Sequence, residues 1–190
     1  MRRTREDKAE THTAILAKAS RLFRERGVEG ASVGDVMAEA GLTHGGFYRH
    51  FDNKEALVAA SIRAAFDSFT DAIDQRAAIV GRERAVKDYF DYYLSNDHLT
   101  HPGLGCPAPT LGPDVARAPD ALKAEFGAGL NRTLAAFVKG LPGDEAANRA
   151  AATREFAFRV GAILLARASD PATAADILEA CREPREGATR

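Results

Sequence analysis

The segment 31–57, ASVGDVMAEAGLTHGGFYRHFDNKEAL, leaves the chain little freedom in how it folds there. It reads as two short helices joined by a tight turn. Ser32 is a good N-cap, and Asp35 three residues on completes a capping box with a shortened carboxylate. Val33, Val36 and Met37 give the first helix an apolar face. Gly41 ends that helix as a residue free to take positive φ, and Leu42 follows as the buried residue of the turn. Thr43 caps the second helix, which carries His44, Gly45, Gly46, Phe47, Tyr48, Arg49, His50 and Phe51. Phe47 and Phe51 lie four apart, so both point inward and leave the opposite side polar.

Gly45 and Gly46 break a local rule, since each costs roughly 1 kcal/mol relative to alanine inside a helix. Such a conflict without visible compensation marks a functional site. Bare positions at a helix start let the backbone approach a partner closely, and the helix dipole favours an anion. His44, Tyr48, Arg49 and His50 around that patch carry donors for phosphates and base edges. This is the form of a helix-turn-helix whose second helix enters a major groove.

GLTHGGFYRHFDNKEAL closely resembles the signature of the TetR/AcrR family of transcriptional regulators. The resemblance extends back over the amphipathic helix at 11–27 and weakens beyond the motif. It implies an all-α fold: an N-terminal three-helix helix-turn-helix DNA-binding domain at 1–53, then a helical effector-binding and dimerisation domain at 54–186, with a tail at 187–190. It implies phosphate contacts by Thr43, Tyr48, His50 and Lys54, with Ser32 in the same DNA-contact set. His44, Gly45 and Arg49 become the candidates for base edges, and Gly46 for close approach. The implied partners are double-stranded DNA with a palindromic operator, a small-molecule effector and a second copy of the chain. The implied mechanism is a repressor whose effector displaces the long helix after the motif. The two reading heads then leave an operator spacing of roughly 34–36 Å.

Length and charge agree with this without requiring it. A chain of 190 residues fits one or two domains and buries a real core. Its net charge of −1 carries no signature of nucleic acid. The basic excess instead sits at the start, where Arg2, Arg3, Arg5, Lys8, Lys18, Arg21 and Arg24 outnumber Glu6, Asp7 and Glu10. No stretch is long and apolar enough for a membrane, and the basic start lacks the apolar core of a signal peptide. Two cysteines make no disulfide framework, so a reducing cytoplasm is the expected compartment.

Taken in order, the chain has helical rather than alternating periodicity. Ile15, Ala19, Leu22 and Phe23 form the first inner stripe. A long helix opening at Asp52–Asn53 carries Val58, Ile62, Phe66, Phe69, Ile73 and Val80, and Gly81 breaks it. Residues 82–94 continue with Val86, Tyr89, Phe90 and Tyr93. Glycine and proline then crowd 95–119, which reads as a loop with at most short helical turns. A helix from Ala118 or Asp120 carries Leu122, Phe126, Leu130, Leu134, Phe137 and Leu141. Two more cover 144–168 and the stretch of Ala174, Ile177, Leu178 and Cys181.

Beyond the motif, Phe66, Phe69, Tyr89, Tyr92, Tyr93, Phe126, Leu130 and Phe137 are candidates for an effector chamber, or for plain core. A tyrosine hydroxyl in an apolar wall needs a partner, and a ligand supplies one. Cys106 is a further candidate. Pro107 suits a first helical position, which makes Cys106 an N-cap thiol whose thiolate the dipole favours. The Gly-Cys-Pro turn resembles one branch of the family, in which some members sense oxidants or electrophiles. The alternative is a small residue packing a loop. His98, His101 and Cys106 lack a fourth ligand in a suitable place, so no metal and no cofactor is expected.

The resemblance assigns dimerisation to the last two long helices, through Phe156, Val160, Gly161, Ile163, Leu164, Ile177 and Leu178; ordinary packing within one copy is the alternative. Two further readings stay open, a small helical enzyme and a partner-binding module without DNA readout. No phosphate-cradling loop, nucleophile elbow or helical metal pair supports the enzyme, and no catalytic residue is expected.

Overall fold

The computed structural model describes residues 5–182. Among these, all regular structure is helical: nine α-helices and one 3₁₀ turn. They form two compact units, one built from the chain up to Ser68 with Gly103–Leu130, the other from Phe69–Pro102 with the chain from Asn131 onwards. The expected boundary at residue 53 falls within the first of these units. The long third helix begins at Lys54, just past that point, and runs through the break at Ser68–Phe69, while a segment from mid-chain packs with the N-terminal helices.

In the first unit, α1 (Arg5–Arg26) begins six residues before the predicted Thr11, with Glu6 and Asp7 suited to its N-terminal dipole. Its stripe of Ile15, Ala19, Leu22 and Phe23 is buried as the periodicity predicts. α2 (Val33–Glu39) turns its Val36 and Met37 onto that stripe, and the 3₁₀ turn His44–Arg49 adds Phe47. α3 (Lys54–Val80) contributes Leu57, Val58, Ile62 and Phe66 to the same core.

The remaining wall comes from the segment read as a loop. α6 (Pro107–Val115) is a nine-residue helix that buries Leu111 and Val115. Its prolines misled the composition argument. Pro107 and Pro109 occupy the first turn, where backbone N–H groups have no intrahelical partner to lose. Pro113 stands near the other end, and the helix stops at Val115. Two bonds fix α6 to the end of α1. The Arg24 guanidinium donates to the Gly105 carbonyl at 2.6 Å, and the Val28 N–H donates to the Asp114 carboxylate at 2.8 Å. The N-terminal part of α7 (Asp120–Val138) completes this unit. A Cβ at Gly129 would stand 2.4 Å from the Phe66 ring, so only glycine lets α7 lie on that ring.

In the second unit, α4 (Arg82–Tyr93) follows Gly81, whose φ of +84° turns the chain. Asp74 anchors the turn between Arg82 and Lys139, and the two cations hold its carboxyl below the usual range despite its burial. α5 (Asn96–Thr100) is the short turn predicted after α4, and α8 (Glu145–Arg167) and α9 (Pro171–Arg182) pack together beside it. Arg167 donates to the carbonyls of His98 and Leu99, and Arg182 to that of Leu94. These are the carbonyls that the ends of α4 and α5 leave without intrahelical donors. Among the described residues no helix is long and apolar enough to cross a membrane.

Candidate nucleic-acid interface

The capping box at the start of α2 is fully formed. The Asp35 N–H donates to Ser32 Oγ at 3.1 Å, while the Ser32 N–H donates back to the Asp35 carboxylate at 2.8 Å. The Ser32 hydroxyl also donates to that carboxylate, at 2.6 Å, and these bonds hold its pKa below the ordinary value. Ser32 is exposed but its hydroxyl is committed to the cap. Gly41 then takes φ +69°, and Leu42, half-buried rather than buried, donates its N–H to the Met37 carbonyl.

Thr43 holds the N-cap position with extended backbone, but its side chain makes no capping bond. The residue itself is exposed. The predicted recognition helix is a 3₁₀ turn, the tighter form used for short segments. Phe47 and Phe51 anchor it from beneath, 1% and 6% exposed, with ring centroids 5.8 Å apart. The outer face presents Thr43, His44, Gly45, Tyr48 and Arg49, all exposed, with Tyr48 at 67%. Gly46, His50 and Lys54 are half-buried beside them. All nine predicted contact residues therefore fall on one short stretch of the first unit, and none is part of its apolar core.

The two glycines separate. A Cβ at Gly46 would meet Met37 at 3.5 Å, an ordinary contact, so its neighbour is the protein itself. Nothing lies within 4 Å of a Cβ at Gly45, and its φ is not positive. Neither packing nor backbone strain requires glycine at Gly45, the more exposed of the pair. His12, which sequence reasoning passed over, stacks on Phe51 at 4.6 Å with its ring centroid 6.0 Å from that of His50. Its signal is its register: half-buried, three residues before Ile15 and seven before Ala19, it continues the α1 stripe. The basic excess of α1 is partly used internally. Arg21 pairs with Glu25 and Glu39, and Arg24 is drawn into α6. Arg2 and Arg3, like the tail at 187–190, lie outside the described residues.

The effector candidates divide between the units. Phe66 and Phe126 meet edge to face at 5.1 Å in the first, which also holds Leu130 and Cys106. In the second, Tyr89 is the hub. Its ring lies 4.8 Å from Phe69, 5.6 Å from Tyr93 and 5.2 Å from Phe137, while Tyr92 stands 39% exposed. Cys106 is fully buried at the N-cap of α6, its sulfur accepting from the Ala108 N–H at 3.4 Å. Arg24 stands beside it. No basic residue adjoins Cys106 in sequence; the fold brings one from α1. Burial pulls the Arg24 guanidinium below its ordinary value, and the neighbouring Glu25 carboxylate opposes this.

His98 belongs to no metal cluster. It is buried, its Nδ1 lies 2.7 Å from the Tyr93 carbonyl, and its ring meets Tyr93 at 4.5 Å. Among the described residues no group of His, Cys, Asp and Glu is placed to hold a metal. Of the dimer candidates, Phe156, Ile163 and Leu178 are buried within their own unit. Val160, Gly161 and Ile177 are half-buried, and Leu164 is 40% exposed. Leu165, at 60%, was not among those predicted.

Residues 15–61 match the family described as bacterial regulatory proteins, tetR family. The chain is 39% identical over 77 residues to the HTH-type transcriptional regulator TtgR of Pseudomonas putida, a match spanning 40% of this chain and 35% of TtgR. It is 32% identical over 129 residues to the HTH-type transcriptional regulator Mb3439c of Mycobacterium bovis, covering 66% of each. The fold resembles the crystal structure of the reduced form of E. coli NemR, with a TM-score of 0.71 and 18% identity over 91% of this chain and 95% of NemR. With the formed capping box and the exposed face above Phe47 and Phe51, these likenesses place the chain in the tetR family of bacterial regulatory proteins.

Proposed function

We propose that this chain is a sequence-specific DNA-binding repressor that works as a homodimer on a palindromic operator. One observation carries the reading: an exposed row of Thr43, His44, Gly45, Tyr48 and Arg49 stands on a two-phenylalanine anchor. Thr43, Tyr48, His50 and Lys54 set the register on phosphates, while His44 and Arg49 read base edges. One head of this size is too small to select a site alone, so a second copy supplies the other half-site. Leu164 and Leu165, exposed on α8, support pairing through that helix. The tetR match leaves the enzymatic alternative without a basis in this chain.

Release comes from a small-molecule effector or from modification of Cys106. The effector must bind the DNA-incompetent state better than the competent one. The buried thiol beside Arg24 supports the second route, because a charged or enlarged sulfur there would disturb the α6 contact with α1.

Selection from a random duplex library, with reduced protein at fixed salt, tests the reading. Enrichment of a palindrome, lost in Tyr48→Ala and Lys54→Ala, is the expected result. Recovery of no sequence by the folded protein would refute it. Repeating the measurement with a mild oxidant on the wild type and Cys106→Ser separates thiol release from effector release.

A further inference from the structure

The first unit holds a partly open cavity of about 400 Å³. Three pieces of chain meet around it. Val28 and Glu29 come from the turn after α1, Lys54, Glu55 and Val58 from the start of α3, and residues 114–122 from the α6–α7 corner. Its size falls within the range of small-molecule sites, roughly 300–1,000 Å³. Its composition fits as well. Val28, Val58, Val115, Ala118 and Leu122 form an apolar lining, with charged groups around it.

The charges decide what such a site accepts. Asp114 is already engaged by the Val28 N–H and, more loosely, by Arg117. Glu29 and Glu55 are exposed, so water screens them. Lys54 is half-buried, and its ammonium makes no ion pair among the described residues. The least screened uncommitted charge on the lining is therefore a cation at the start of α3, where the helix dipole also favours an anion.

We propose that this cavity binds an amphipathic organic acid, its apolar body on Val58, Val115 and Leu122 and its carboxylate on Lys54. Binding and DNA recognition are then mutually exclusive at one atom, because an ammonium held by a carboxylate is withdrawn from a phosphate. No displacement has to travel through the fold. This regulatory consequence rests on the reading of Lys54 as a phosphate contact; the binding site itself does not.

The test begins without DNA, using the full chain and 8-anilinonaphthalene-1-sulfonate, an aromatic anion that fluoresces when bound. Saturable binding is expected, weakened roughly five- to tenfold in Lys54→Gln and abolished in Ala118→Trp, which fills the cavity. Decanoate should displace the probe and decylammonium should not. Binding indifferent to Lys54→Gln, or displacement by decylammonium as readily as by decanoate, overturns the proposal; if Ala118→Trp does not fold, Lys54→Gln decides. In a second arm, decanoate should weaken binding to the selected operator in the wild type but not in folded Ala118→Trp. Unchanged operator affinity in decanoate-saturated wild type overturns the regulatory half. Absence of any DNA binding with intact probe binding overturns the DNA reading and leaves the site standing.

Discussion

Mild acid should destabilise the second unit through His98. Burial pushes this imidazole down to about 4, although its bond to the Tyr93 carbonyl pulls the other way. The unfolded chain offers the same group near its ordinary 6.5. Below that value the unfolded state takes up a proton that the native state refuses. The stabilising contribution is therefore complete above pH 6.5 and is lost as pH falls towards 4. Each unit of pH costs about 1.4 kcal/mol, so the loss is about 2 kcal/mol at pH 5 and about 3 kcal/mol at pH 4. For a chain of this size that lowers the melting temperature by roughly 4–8 °C between pH 7 and pH 5. Asp74 and Asp88, held by arginines below the usual carboxylate range, titrate below this window and stay silent. Thermal melts by circular dichroism at fixed protein concentration give the comparison. His98→Asn keeps a donor for the Tyr93 carbonyl but has no proton to gain, so its melting temperature should move less. Equal shifts in the two proteins would refute the argument.

Two substitutions probe the first unit. Gly45→Ala has room for its methyl group and no strain to relieve, so it should raise stability by about 0.5–1 kcal/mol in denaturant melts while weakening operator binding. Unchanged affinity would mean that DNA does not approach that position. Asp114→Ala strands the Val28 N–H and should cost about 1–2 kcal/mol in the same melts, whereas Asp114→Asn, which keeps an acceptor, should cost less.

The readable parts of this protein were those settled within a few residues. Ser32 and Asp35 are three apart, Phe47 and Phe51 four apart, and Gly41 acts on its own backbone. The apolar stripes of α1 and α3 follow the same local logic. What stayed hidden depends on distant partners. Arg24 reaches Gly105 across 81 residues, and Asp114 takes the Val28 N–H across 86. Proline counts describe composition and not position within a turn, so they give no sign of the helix Pro107–Val115 inside 95–119. His98 looked like a loop histidine, and only the fold shows it enclosed by Tyr92 and Tyr93. Thr43 has the right residue type for a cap, yet its side chain makes no capping bond. At Gly45 and Gly46 the local rule and the chain disagreed visibly, and the structure then distinguished the two.

The hold of Arg182 on Leu94 gives the last helix a meaning beyond its own length. Twelve residues make a helix too short to persist alone in water. Its final residue supplies the donor for a carbonyl made 88 positions earlier. A chain shortened before Arg182 would lose more than an end: the corner between α4 and α5 would open its main chain to water. The end of α9 is thus part of how the α4–α5 corner is closed, and a nascent chain cannot complete that corner until Arg182 has been made.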